Sequence, residues 1–531
     1  MRRILIGFVA MALMSAAPTF ANSDGDKNTD TSAKNGNTSS TAAPMRSAKK
    51  KPVKASNESS SSATKTRGTD SPAAAAPTSA TAPASAAVTS SKAAQSGQVN
   101  QSPLFFKIGG ANFTPLGFLD FTSVYRSTDV GSGIGTSFGS TPFNGASPAG
   151  RLSETRFSAQ NSRVGIKIDA NPDNFTVTGY LEADFLGNAP GNLEVTSHSN
   201  TMRMRLYWVD VHRGKWEVLA GQSWSMMTPN RTGISPMPGD IFFSQDMDTN
   251  YQVGLVWLRT PGFRVVYHAN SNWTLGVALE DPEQYTGGLV TFPAGFNTSQ
   301  VDDTGGNAKT PNAAPDVIAK VAYDTKLSGH AFHIEASGLY RVFRLNTAAT
   351  NANVTKSGGG GSVNVNFEVV KNLHLIANSF WSDGGGRYIF GMGPDFAVTT
   401  NAAGNFVPSP LHAGSGIAGF EYQFTPQTMF YGYYGGAYFG RNFQATTGTS
   451  GTTTYTGYGF PGSGSAQNRT IQEATFGVIE TLWKNVKYGD LKIITQGSYL
   501  SRNPWSNTAT PGNANSAHLG MAFVDLRYDL P

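Results

Sequence analysis

The chain contains no cysteine among its 531 residues, and only 14% of its residues are charged. The absence of cysteine excludes a small secreted fold held together by disulfides. It is compatible with a large closed β-sheet, because the hydrogen bonds of a closed sheet satisfy the backbone without covalent cross-links.

Long apolar runs are also missing after the N-terminus. Residues 1–21 contain Arg2 and Arg3, an apolar run from Ile4 to Met14 and small residues ending at Ala21, which predicts a cleaved secretory signal. No later stretch has 18 consecutive apolar residues, which excludes a bundle of membrane-spanning helices. If the exported chain enters a membrane, it must do so as a closed barrel, the only other structure that satisfies every backbone polar group in lipid.

Catalytic and cofactor-binding motifs are missing as well. The eight histidines form no metal-binding pair at helical spacing, and the sequence has no nucleophile elbow. The glycine runs Gly358–Gly361 and Gly384–Gly386 lack the lysine and the following helix of a phosphate-binding loop, so we interpret them as flexible loops. We therefore expect neither an enzyme nor a cofactor site.

The basic pI of 9.1 arises from one part of the chain. Residues 22–103 contain ten Lys/Arg and five Asp/Glu, whereas residues 104–531 contain 28 and 30, so nucleic-acid binding is not indicated. Residues 22–103 are rich in Ser, Ala, Lys and Pro, which predicts a disordered linker. A sharper alternative is that Lys49–Lys51 and Lys54 contact anionic peptidoglycan or lipid headgroups.

Apolar and polar residues alternate with a period of two through much of the chain. Within residues 174–185 the odd positions are mostly apolar, while Thr176, Glu182 and Asp184 occupy even positions. Strands of this length cross the hydrocarbon core of a bilayer. The predicted fold is all-β, a transmembrane antiparallel β-barrel of the outer membrane formed by residues 104–531. A soluble β-protein, in which a second sheet covers the apolar face, is the alternative.

Loop lengths predict the number of strands. Eight long segments, one of them at residues 345–359, alternate with seven tight turns, which gives 16 strands with long loops outside and short turns in the periplasm. The segment Tyr251–Trp257 has strand propensity, but including it would give an odd count and a long periplasmic loop. We therefore place it in the third long loop, folded into the lumen. A cap that stays outside the barrel is the alternative.

Aromatic residues beside the predicted turns support this topology. The set is Trp208, Trp216, Trp273, Phe424 and Trp483. Aromatic rings favour the membrane–water interface, so these residues are expected to form the periplasmic girdle of the barrel.

Alternation also assigns several basic residues to the inside of the barrel. Apolar residues such as Met202, Met204 and Leu206 are expected to face lipid, which leaves an inward basic set: Arg163, Lys167, Arg203, Arg205 and Arg264. The third-loop carboxylates Asp240, Asp246 and Asp248 are expected to oppose this set across a constriction that favours small anions. The alternative is that the arginines pair with Glu182, Asp184 and their neighbours inside the lumen.

Four stretches resemble the DcaP-like outer-membrane porins: Gly179–Gly187, Met202–Tyr207, Leu219–Ser225 and Leu275–Glu283. The resemblance covers roughly residues 104–531 and implies a trimeric 16-stranded channel for dicarboxylates and related anions, with Arg203 and Arg205 in the pore lining. The chain departs from this family in two ways. Residues 22–103 show no coiled-coil heptads, and the last residue is Pro531 rather than an aromatic residue.

These features predict an outer-membrane porin for passive diffusion of small hydrophilic solutes, with a preference for anions such as dicarboxylates. The expected partners are outer-membrane lipid, small anionic solutes and two further copies of the chain in a homotrimer. The alternative function is a surface-binding or adhesin protein that uses the barrel as its membrane anchor.

Overall fold

The computed structural model describes residues 102–143, 148–188, 192, 195–237, 242–246, 251–303, 310–507 and 515–531. The predicted signal and all but the last two positions of the predicted linker lie outside these residues, so both stay predictions. Among the described residues, no helix has the length and apolar composition needed to cross a bilayer.

The described residues form 22 strands and four short 3-10 segments. In chain order the strands are β1 (Phe106–Ile108), β2 (Ala111–Arg126), β3 (Glu154–Ser158), β4 (Arg163–Ala170), β5 (Thr176–Asp184), β6 (Arg203–Arg213), β7 (Trp216–Trp224), β8 (Arg259–His268), β9 (Trp273–Glu280), β10 (Asp316–Leu327), β11 (His330–Thr347), β12 (Ala352–Val370), β13 (Leu373–Asp383), β14 (Phe396–Thr400), β15 (Phe406–Pro410), β16 (His412–Gln423), β17 (Thr428–Phe439), β18 (Asn442–Thr447), β19 (Thr453–Tyr458), β20 (Asn468–Asn485), β21 (Gly489–Pro504) and β22 (Ala517–Asp529). The 3-10 segments are Phe138–Ser140, Pro148–Arg151, Thr298–Gln300 and Gly386–Tyr388.

Eighteen of these strands belong to one antiparallel sheet. β3 and β4 both pair with β2 and together fill one position of the barrel, while the three-residue β1 pairs only with the start of β2. β22 pairs with β2 from Phe118 to Arg126 and so closes the sheet. Across the described residues the barrel therefore has 16 strand positions, which confirms the predicted 16-stranded antiparallel barrel.

The outer face of the barrel is apolar. In β9 the side chains of Trp273, Leu275, Val277 and Leu279 are exposed, while the residues between them are buried inside. Alternation of this kind around the sheet leaves a wide band of exposed apolar side chains, which only lipid can cover in a closed single-layer barrel. This architecture confirms a transmembrane barrel and places it in an outer membrane.

The prediction that Trp208 belongs to the periplasmic girdle is wrong, because its side chain is buried inside the barrel. The other four aromatic residues of the predicted girdle are exposed, as expected. The pairing of β5 with β6 shifts by one residue between Glu182 and Ala183, so that Arg205 is the extra residue of a bulge. Beyond the bulge the alternation reverses. Trp208 then stacks on Tyr180 inside the barrel, with ring centroids 5.1 Å apart, and Leu206 is buried inside instead of facing lipid.

The long loop predicted at residues 345–359 is also wrong. β11 and β12 pair continuously up to Thr347 and Ala352, and the glycines Gly358–Gly361 lie within β12. A side chain on Gly360 would place its Cβ 2.6 Å from the carbonyl oxygen of Trp381 on β13. The glycine run therefore permits a close approach of neighbouring strands and is not a flexible loop.

Candidate pore constriction

The third loop spans residues 225–258 between β7 and β8, and its described residues lie inside the barrel. Tyr251, Val253 and Trp257 are almost completely buried, and no strand of the barrel wall forms between β7 and β8 among the described residues. The placement of Tyr251–Trp257 within a lumen-facing third loop is therefore confirmed, and the alternative of an external cap is not supported.

Hydrogen bonds and ion pairs fix this loop to the inner wall. The backbone N–H of Asn230 donates to Glu335 Oε1 on β11 at 3.0 Å, and Arg231 forms a two-pronged ion pair with Glu421 on β16 at 2.5 and 2.6 Å. Farther along, the N–H of Val253 donates to Glu473 Oε2 on β20 at 2.9 Å. The loop is therefore attached along the side of the barrel formed by β11 to β20.

Glycines allow the loop backbone to touch the wall directly. Gly254 has a positive φ of 95°, and a Cβ at this position would lie 2.7 Å from the backbone nitrogen of Gly436 on β17. A Cβ on Gly435 would collide with the carbonyl oxygen of Val253. Because an added side chain would fill the space that the loop occupies, small residues on both sides are required for this contact.

Asp246 is attached to β20 and β21 of the barrel wall, and its place opposite the arginines stays a prediction. Its carboxylate is completely buried against these two strands, where it accepts hydrogen bonds from Gln496 Nε2 at 2.9 Å and Thr475 Oγ1 at 3.4 Å. Its backbone oxygen accepts from the N–H of Thr136 in the first loop at 3.0 Å. Burial raises the pKa of the Asp246 carboxyl to about 7. Asp246 thus joins two loops to the wall, and the other two predicted carboxylates, Asp240 and Asp248, lie outside the described residues.

Arg203 and Arg205 point inward and pair with Glu182 and Asp184, as expected if the arginines form ion pairs inside the lumen. Arg203 binds Asp184 with two parallel hydrogen bonds, Nε to Oδ1 at 3.0 Å and Nη2 to Oδ2 at 2.6 Å. Arg205 is fully buried and binds both Glu182 Oε1 at 2.6 Å and Asp184 Oδ2 at 2.7 Å. A shared carboxylate therefore joins the two arginines into one ionic cluster on the β5–β6 wall.

The other predicted basic residues also lie on the inner face. Lys167 Nζ lies 3.1 Å from Asp169 Oδ2, and Arg264 Nη2 lies 3.6 Å from a Glu217 carboxylate oxygen. Arg163 stacks its guanidinium over the ring of Phe118, 5.2 Å from the centroid. The inward orientation of all five basic residues follows the alternation, while their role in lining a pore stays a prediction.

In three ion pairs on β3 to β6, the exposed fraction of the side chain differs between the basic and the acidic partner. The side chain of Arg203 is 33% exposed against 0% for Asp184, and that of Lys167 is 38% exposed against 28% for Asp169. Arg156 on β3, which sequence reasoning missed because it follows the predicted first loop directly, is 41% exposed against 9% for Glu154. In these three pairs water therefore meets the positive partner more than the negative one, whereas Arg205 on the same wall is fully buried with its carboxylates.

A second ionic cluster attaches the sixth loop, residues 384–411, near the third loop. Arg341 Nε donates to Asp316 Oδ2 at 3.0 Å, and Arg341 Nη1 lies 2.6 Å from Asp395 Oδ2. The backbone N–H of Trp257 donates to the carbonyl of Tyr388 at 3.1 Å. Sequence reasoning missed this cluster because its members come from β10, β11 and a distant loop, with no spacing that relates them.

The chain is similar to the outer membrane channel DcaP of Acinetobacter baumannii, with a TM-score of 0.55 at 17% sequence identity over 79% of this chain and 97% of that chain. It also matches an anion-selective porin from Comamonas acidovorans, with a TM-score of 0.43 at 10% identity over 79% and 99% of the two chains. No protein-family model and no curated protein matches this sequence. The similarity to DcaP confirms the fold that the sequence resemblance implied.

Proposed function

We propose that the protein is a porin that allows passive diffusion of small hydrophilic solutes across the outer membrane and prefers anions such as dicarboxylates. A 16-stranded barrel is wide enough to enclose an aqueous passage, and the third loop folded against the inner wall narrows that passage. The homotrimer and the dicarboxylate preference follow from the family resemblance.

The greater exposure of the positive partner in three ion pairs on β3 to β6 carries the proposed anion preference. Arg156, Lys167 and Arg203 are each more exposed than the carboxylate they pair with, and the difference is large for Glu154 and Asp184 and small for Asp169. Arginine suits this role because its planar fork matches a carboxylate and its charge persists at any accessible pH. In a narrow lumen with low-dielectric walls these charges act on a passing ion more strongly than they would in bulk water.

Replacing Arg156 and Arg203 together by Gln is expected to move the reversal potential toward cation selectivity. The purified protein would be inserted into planar bilayers under a salt gradient. The shift is expected to shrink at high salt, because the Debye length falls from about 8 Å at 0.15 M to about 3 Å at 1 M.

Arg344→Gln is the matched control, because Arg344 is exposed on the outer face of β11 and its Nε donates to Thr355 Oγ1 rather than to a carboxylate. The control is expected to keep the reversal potential of the unaltered protein. Absence of any conductance would overturn the porin proposal. Conductance with the same reversal potential in the double variant would overturn the anion-preference assignment alone.

A further inference from the structure

Lys320 is buried in the inner wall of the barrel, where the third loop packs against β10. Its side chain is 1% exposed, and Ile318 and Ala322, its neighbours on the inner face of the strand, are completely buried. Lys320 Nζ donates to Asn230 Oδ1 of the third loop at 3.3 Å and to Glu335 Oε1 on β11 at 3.0 Å. An amine, a carboxamide and a carboxylate therefore meet in one buried place.

Asn230 is held in one orientation by hydrogen bonds to four groups. Its backbone N–H donates to Glu335 Oε1 at 3.0 Å, and its carbonyl accepts from Asn364 Nδ2 at 2.8 Å. Its Nδ2 donates to the carbonyl of Ser235 at 3.0 Å, which leaves Oδ1 for Lys320. Because a C=O bond is about 1.23 Å long, Lys320 Nζ lies within about 4.5 Å of Asn230 Cγ. A movement of about 1 Å brings the two atoms to the distance of about 3–3.5 Å at which a bond can form.

These three groups can form an amide bond between two side chains. Burial favours a neutral amine and a neutral carboxylic acid over their charged forms, so Glu335 can take one proton from the Lys320 ammonium. The electron pair of the free amine then attacks Asn230 Cγ, and the Cγ–Nδ2 bond breaks. Nζ loses a second proton, and Nδ2 leaves with both protons as an ammonium ion. Glu335 is again a carboxylate, with His333 Nε2 3.4 Å from its other oxygen.

We propose that Lys320 and Asn230 form an isopeptide bond, which attaches the third loop covalently to the barrel wall. The reaction balances with these two side chains and Glu335 as the proton carrier, so it needs no oxidant and no second protein. Lys320 and Asn230 are 90 residues apart, so the bond closes a large ring in the chain that persists after unfolding. The bond does not depend on the proposed transport function.

Tryptic peptides of the full-length protein, purified from outer membranes, test the proposal by mass spectrometry. Trypsin is expected not to cleave after Lys320, because its side chain is no longer an amine. The peptide 216–231, which contains Asn230, is expected to be joined to the peptide 310–326, with a mass below the sum of the two by one ammonia molecule. Separate peptides 216–231 and 310–320 from the folded protein would overturn the proposal.

Three variants test the roles of the side chains. Glu335→Gln removes the proton carrier at nearly constant size and is expected to give the separate peptides. Asn230→Asp is expected to keep the bond but to lose one water molecule instead of ammonia. Asn366→Ala is the matched control, because Asn366 Nδ2 contacts the loop at the carbonyl of Arg231, 3.4 Å away, without touching the reacting groups. It is expected to keep the bond, and a bond that forms equally well in Glu335→Gln would overturn the role of Glu335.

Refolding of the full-length protein from urea gives a test that does not depend on how well a variant folds. The unfolded, newly made chain is expected to give the separate peptides, and the joined peptide is expected to appear after folding at a rate independent of protein concentration. In boiled gel samples the ring makes the refolded chain more compact, so it is expected to migrate ahead of the chain that never folded. Equal migration of the two boiled samples would contradict a covalent ring.

Discussion

Deletion of residues 230–255 is expected to raise the single-channel conductance by about twofold or more, because a 16-stranded barrel encloses a wide aqueous passage once nothing narrows it. The deleted segment includes Arg231, Val253 and Gly254, which attach the third loop to the inner wall. Anion selectivity is expected to fall in the same variant, since ions near the centre of a wider lumen pass farther from the wall charges. Planar-bilayer recordings measure both quantities.

Removal of residues 446–454 provides the control for this deletion. These residues form the exposed tip of the β18–β19 hairpin in the seventh loop and make no described contact with the third loop. Their removal is expected to leave the conductance unchanged. Equal conductance in the unaltered protein and in the 230–255 deletion would show that the third loop does not set the width of the passage.

Arg341→Met is expected to destabilise the folded barrel by about 3–5 kcal/mol, because it removes the cation that pairs with two buried carboxylates and leaves only Arg387, 3.4 Å from Asp316, to offset their charge. Asp316 and Asp395 both lie within hydrogen-bonding distance of the Arg341 guanidinium, and all three side chains are buried. The same guanidinium donates to the carbonyls of Gly384 and Glu283 at 2.6 and 2.8 Å, so the loss also loosens the sixth loop. Urea unfolding in detergent, followed by the shift in gel migration, measures the change.

Arg344→Met is the matched control, since Arg344 lies three residues farther along β11 with its side chain exposed on the outer face. It is expected to change stability by no more than about 0.5 kcal/mol. Burial raises the pKa of Asp395, and Arg341 opposes that rise. A carboxyl whose pKa is raised in the folded state makes the folded protein less stable as pH rises. The Arg341→Met deficit is therefore expected to be smaller at pH 5 than at pH 8, and a deficit that is equal at both pH values would contradict this explanation.

The two-residue alternation and the loop lengths were sufficient to predict the barrel. The parity of the strand count placed Tyr251–Trp257 in the third loop although its propensity favours a strand, because a membrane strand there would have reversed the sides of all later loops. The inward direction of Arg163, Lys167 and Arg264 also followed from alternation. These features depend on a regular period of two, which a sequence displays directly.

The errors arose where that regularity is interrupted or where distant segments meet. A bulge at Arg205 turned Leu206 and Trp208 inward, and no residue type marks a bulge of this kind in advance. Gly358–Gly361 resembles a loop in composition, yet its lack of side chains serves close packing between strands. The burial of Asp246 depends on Gln496, which is 250 residues away. Contacts of that range have no local signal in one sequence.

Cysteine labelling from outside the cell tests the 16-strand topology most directly. Ser271 lies in the exposed turn between β8 and β9, and Ala294 is exposed in the loop between β9 and β10. Because the chain has no cysteine, Ser271→Cys and Ala294→Cys would each introduce the only thiol. An impermeant maleimide too large for the pore, added to intact cells, is expected to label Cys at position 294 and not at position 271. Labelling at 271 with protection at 294 would mean that Tyr251–Trp257 crosses the membrane as a strand, which would contradict the 16-strand topology.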